Sequence, residues 1–144
     1  MQYDNGISMY KQQLDESLGE ILTVMERAYV SFSRDCKDTK DAIATYYRLC
    51  GEMIAACQSA ESVTRRISAA IQRADGQCSP ETASALGALL EIYLGFRGVF
   101  EQYLSECECA VQIKDTPFPA RTLVHQTDIL IRKTSMLKKD IQRI

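Results

Sequence analysis

Residues 79–113, SPETASALGALLEIYLGFRGVFEQYLSECECAVQI, constrain the fold more than any other stretch of the chain. Ser79 suits a helix N-cap, Pro80 the first helical position, and Glu81 the positive end of the helix dipole. Two apolar stripes follow at helical spacing. One runs Leu86, Leu90, Tyr93, Phe100, Leu104 and Cys107, broken at Arg97; the other runs Ala85, Leu89, Ile92, Phe96, Val99 and Tyr103. Together they exceed the ~100° arc of an ordinary surface helix. A helix of this kind needs neighbours on more than one side, and the other segments are expected to surround it.

The flanking segments read as helices too. Ile7, Tyr10, Leu14, Leu18, Ile21, Met25, Ala28, Phe32 and Cys36 recur every three or four residues, which predicts a first helix over about 7–36. Asn5-Gly6 ahead of it predicts a frayed start. SRDCKD at 33–38 loses the apolar stripe and raises the charge density, so a turn is expected there. Asp38 is placed to cap a second helix by accepting from the backbone N–H of Asp41.

That second helix is expected over about 39–74, with Ile43, Tyr46, Cys50, Met53, Cys57, Ala60, Ile67 and Ile71 on one side. Gly76 would close it in a left-handed cap. The third helix is expected over about 79–113. DTPFP at 115–119 then breaks the chain, because neither proline can sit inside a helix. A fourth, over about 119–144, carries Leu123, Thr127, Leu130, Thr134, Leu137, Ile141 and Ile144 at alternating spacings of four and three, the 3.5-residue seam of coiled coils.

Four long helices with short connections predict an all-α fold, an antiparallel up-down-up-down four-helix bundle, organised as a single domain over 1–144. Charge patterning agrees. The first and third segments are acidic and the second and fourth more basic, which suits an arrangement where sequence neighbours are spatial neighbours. Gly87, Gly95 and Gly98 are unfavourable inside the third helix unless something gains from the absent side chain. Close approach of a neighbouring helix is the favoured explanation, ahead of a hinge at 95–98.

The chemistry is sparse. His125 is the one histidine, which removes any mechanism needing two within a chain. Thr122 stands where a di-iron bundle would place a glutamate before a histidine. No cofactor is expected and the chain is read as not an enzyme. In an antiparallel bundle Cys36, Cys107, Cys109 and His125 gather at one pole, and three thiols and an imidazole could form a metal shell or redox site. Against it, Cys107 and Cys109 stand about 200° apart on a helix. No metal is the favoured reading.

A net charge of -2, with no aromatics interleaved among the basic residues of the fourth helix, argues against nucleic-acid binding. The N-terminus lacks the basic-then-apolar pattern of a signal peptide. The most apolar window, 83–100, is interrupted by Glu91 and Arg97, so no membrane span is expected. The six cysteines are then read as free thiols of a cytoplasmic protein.

Tyr46, Tyr47, Tyr93, Phe96, Phe100 and Tyr103 are expected in the core. The surplus apolar surface points to function through helix–helix contacts with protein partners, as an adaptor, subunit or secretion-type chaperone, a homodimer among the partnerships. Size and helical pattern are similar to those of small bacterial secretion chaperones as a class; no family is implied. The residues expected to carry binding are Ile92, Phe96, Val99, Leu130, Leu137 and Ile141.

Overall fold

In the computed structural model, which describes residues 2–36, 38–73, 79–112 and 119–144, four long helices form a four-helix bundle. They are α1 (Gln2–Val30), α2 (Thr39–Arg73), α3 (Pro80–Gln112) and α4 (Pro119–Gln142). The Gly76 cap and residues 115–118 of the DTPFP break lie outside the described residues.

Helix α1 starts earlier than the sequence predicts, at Gln2. Gly6 does not break it, because an isolated glycine costs only about 1 kcal/mol relative to alanine. At its other end α1 widens into a π-helical turn, Ser31–Asp35. There the Ser33 hydroxyl donates to the Tyr29 carbonyl at 2.6 Å, occupying the acceptor that a continuing α-helix would use. Phe32 remains buried on this turn, and Cys36 then leaves the helix in extended conformation. The expected turn is therefore present, and the Asp41 N–H donates to the Asp38 carboxylate at 2.8 Å as predicted. The α3 cap also forms, with the Thr82 N–H donating to Ser79 Oγ at 3.1 Å.

Helix α1 packs closely on α2 and α4, and α3 on α4; the α2–α3 seam is the thinnest of the four around the ring. Leu14, Leu18, Ile21, Met25 and Ala28 of α1 meet Tyr46, Met53, Ala60 and Ile67 of α2 in one core. Both stripes of α3 enter this core, through Leu86, Leu89, Tyr93, Phe96, Phe100, Tyr103 and Cys107. The heptad seam of α4 is internal as well, with Leu123, Thr127, Leu130, Thr134 and Ile141 buried.

The glycines of α3 do not serve close packing. An added Cβ at Gly87 or Gly98 would meet open space, and at Gly95 only an ordinary contact with Leu137 at 3.6 Å. That expectation is corrected: the neighbouring helices reach α3 from its aromatic side, opposite Gly87 and Gly98.

Candidate functional site

The four residues of the thiol–imidazole cluster do not converge. Cys36 and His125 line one open recess of about 560 Å³ at the π-helical turn, together with Tyr29, Phe32, Ser33, Arg121, Val124 and Asp128. Cys107 is buried elsewhere and Cys109 is exposed, as their spacing on a helix requires. Among the described residues no three of His, Cys, Asp and Glu are placed to hold a metal ion.

The buried thiols are embedded in a phenol network. Burial, more than the hydrogen bond from Tyr46, sets the state of Cys50 and pushes its thiol up. Burial likewise pushes Cys107 up to about 12, against the hydrogen bond from Tyr103 that lowers it. Tyr103 also shares a hydrogen bond of 3.0 Å with Thr127 Oγ1, which in turn donates to the Leu123 carbonyl at 2.6 Å. These groups are protonated at neutral pH. Burial thus disfavours the thiolate at both positions, and the Tyr103–Thr127–Leu123 chain of hydrogen bonds ties α3 to α4.

The six residues expected to bind a partner separate. Leu130 and Ile141 lie in the core, and Leu137 packs against it. Val99 and Leu130 border a shallow recess between α3 and α4. Ile92 is half-buried against the core. Phe96, 1% exposed, forms the floor of a different feature, a groove along the α2–α3 seam.

This groove is built where α2 and α3 stand apart. One part, of about 250 Å³, is lined by Ile54, Cys57 and Glu61 from α2 and by Tyr93, Phe96, Arg97 and Phe100 from α3. A second part, of about 390 Å³, continues it past Arg65, Ser68 and Ala69 on α2 and Leu90 and Leu94 on α3. The two parts share Tyr93 and Arg97. The floor is a run of tilted aromatic contacts, Tyr93 to Phe96 at 6.3 Å and Phe96 to Phe100 at 5.8 Å. On the rims two large apolar side chains face water, Leu94 at 59% and Ile54 at 49% exposed. Tyr47, expected in the core, instead reaches across the seam and donates to Glu108 at 3.4 Å.

Charges on the groove pair within their own helices, Glu61 with Arg65 at 3.7 Å and Arg97 with Glu101 at 3.5 Å. Burial, with the Glu61 carboxylate beside it, pushes the Tyr93 phenol up to about 12. Burial, again with Glu61 adding to it, pushes Cys57 up to about 12. The groove is thus neutral and apolar at its floor and charged only along its lips.

Sequence reasoning missed Leu94 and Ile54. The available signal was their misfit: both are large apolar residues that fall off the stripes of their own helices. By length and composition α3 is apolar enough to cross a membrane, with a mean hydropathy of 1.3 over its best 18-residue window. Comparison with protein-family models, with curated proteins and with solved structures finds no match.

Proposed function

We propose that this chain is a non-enzymatic bundle protein, an adaptor, subunit or chaperone, that docks a helix of a protein partner in the α2–α3 groove. The observation that carries this reading is the conjunction of a thin seam, an aromatic floor and exposed Ile54 and Leu94 on opposite lips. An amphipathic helix recognises such a groove by placing i, i+3, i+4 and i+7 anchors on the floor while its polar face stays wet. Contiguous exposed apolar surface of this kind marks an interface more often than scattered exposed side chains do.

A soluble bundle in the cytoplasm is the setting that fits this reading. The aromatic side of α3 faces the other helices and packs into the bundle core. The described cysteines are free thiols, as in a reducing compartment. The intrahelical ion pairs on the groove leave no cationic strip for a phosphate backbone.

The test is copurification from the native source. Ile54→Glu with Leu94→Glu is expected to abolish recovery of the partner while circular dichroism and melting stay unchanged. Met136→Glu alters a residue that is more exposed, at 66%, but lies outside the groove, and is expected to leave recovery intact. Loss of the partner in Met136→Glu alone would contradict the assignment.

A further inference from the structure

We infer that the recess at the π-helical turn is a binding site for a small organic anion, a carboxylate on an aromatic body. It lies apart from the α2–α3 groove and does not rest on the docking proposed there.

The recess forms at the end of the α1–α4 seam that lies away from its polar ties, Asp15 with Lys138 and Lys11 with the Gln142 carbonyl. There α1 turns π-helical over Ser31–Asp35, and the chain leaves it at Cys36 in extended conformation. Single π-helical turns recur at functional sites. This one faces the first turns of α4 across an open space of about 560 Å³. That volume falls within the range of small-molecule pockets.

The walls divide by chemistry. Phe32, buried on the turn, and Val124, packed against the core, supply an apolar floor, to which the more exposed Tyr29 ring adds. The polar groups come from α4, where Arg121 and His125 are both exposed and lie one turn apart on the same face. A guanidinium is charged at every ordinary pH and carries five N–H donors, more than a single neighbour uses, in a planar fork that matches a carboxylate. An imidazole offers an N–H in either tautomer.

The carboxylates close by are engaged or lie elsewhere. Asp128 lines the recess, but Arg132 stands 3.1 Å from it and offsets its charge. Asp38 accepts from the Asp41 N–H and, like Asp35, does not line the recess. The Ser33 hydroxyl is turned back onto the Tyr29 carbonyl. What remains is a pair of donors above an apolar floor, the complement of an aromatic carboxylate. A cation would meet the Arg121 charge, and an uncharged apolar molecule would gain nothing from either donor.

Cys36 makes occupancy measurable. It is half-buried on the recess wall, whereas Cys109 is exposed on α3 and does not line the recess. The experiment follows labelling of both thiols in the folded chain by dithiodipyridine, a neutral disulfide, with peptide mapping to separate them from the other cysteines. The thiolate attacks one sulfur of the reagent, a protein–reagent disulfide forms, the reagent's own S–S bond breaks and pyridinethiolate leaves.

Benzoate is the competing probe, with a dissociation constant expected at about 1 mM for a ligand of its size. At about ten times that concentration it should slow Cys36 about tenfold and leave Cys109 unchanged. Sulfate at equal ionic strength should protect neither. Arg121→Ala, with circular dichroism unchanged, should weaken benzoate binding about tenfold. A second measurement does not depend on thiol reactivity. His125 is the one histidine, so its ring gives a single set of proton resonances, which should shift and saturate as benzoate is added.

His125 resonances that stay in place overturn the inference, as does the absence of selective protection at Cys36. So does benzoate binding that Arg121→Ala leaves intact. Equal protection by sulfate would mean that charge alone is recognised and would overturn the aromatic carboxylate as the ligand.

Discussion

The α1–α4 and α2–α3 seams use similar residues and end differently. Across α1–α4 polar groups join the two helices: Lys138 Nζ meets the Asp15 carboxylate at 3.2 Å, and Lys11 Nζ donates to the Gln142 carbonyl at 3.2 Å. Gly19 lets the Lys138 stem pack at 3.4 Å from where a Cβ would be. Across the central part of α2–α3 the ion pairs close within each helix, and Ile54 and Leu94 are left facing water. The first seam is closed by its own residues. The second leaves Ile54 and Leu94 exposed on its lips above a buried aromatic floor, the apolar surface that a partner helix would cover.

The largest expected contrast is in stability. Leu18 is fully buried beside the closed seam, and Leu18→Ala should lower the unfolding free energy by about 2–5 kcal/mol in urea titration. Leu94→Ala, on the open seam, should stay within about 0.5 kcal/mol of wild type. A Leu94 variant as damaging as the Leu18 one would mean that the groove is core.

A smaller and opposite pair of effects distinguishes two threonines on α4. Thr127 is buried and bonded to Tyr103, whereas Thr134 is buried with no partner for its hydroxyl. Thr127→Val should destabilise by about 1–2 kcal/mol, because it leaves Tyr103 only a weak sulfur acceptor. Thr134→Val keeps the shape, removes an unpaired hydroxyl and should stabilise by about 1 kcal/mol. Equal signs for the two would contradict the hydrogen-bond assignment.

The pH dependence follows from the thiols. Burial raises Cys57 and Cys107 from an ordinary value of 9.0 to about 12, so the folded chain holds these protons more tightly than the unfolded chain does. The contribution is fully present below about pH 9 and is lost as pH rises toward 12. Urea midpoints measured from pH 7 to 11 should therefore fall at the alkaline end, and Cys57→Ala and Cys107→Ala should each flatten the fall.

Gly98→Ala should act in the stabilising direction. Open space receives the new methyl group, and the unfolded chain loses freedom, so stability should rise by about 0.4–1 kcal/mol.

Periodicity made most of the fold legible. The 3.6-residue stripes marked four helices; the ends of α2, α3 and α4 agree within two residues, whereas α1 starts five residues earlier than expected and turns π-helical over Ser31–Asp35, and the Asp38 and Ser79 caps marked two starts. The groove was not legible for a physical reason. A stripe tells which residues want burial, but not whether two helices stand close enough to bury both stripes fully. Phe96 was recognised as special for its apolar surroundings, yet its role as a floor depends on the α2–α3 separation, which no local pattern encodes. Leu94 and Ile54 fall off the period of their helices, so periodicity does not mark them. The glycine expectation failed similarly, since spacing along a helix does not say which side its neighbours occupy.

The most direct test of the open-seam account is photocrosslinking in cells that naturally make the protein, with a photo-reactive side chain at Leu94 in one variant and at Met136 in another. Met136 is the more exposed of the two, at 66% against 59%, so exposure alone would favour it. The account predicts a discrete protein adduct from position 94 and none from position 136. Equal labelling at both positions, or labelling at 136 alone, would contradict it.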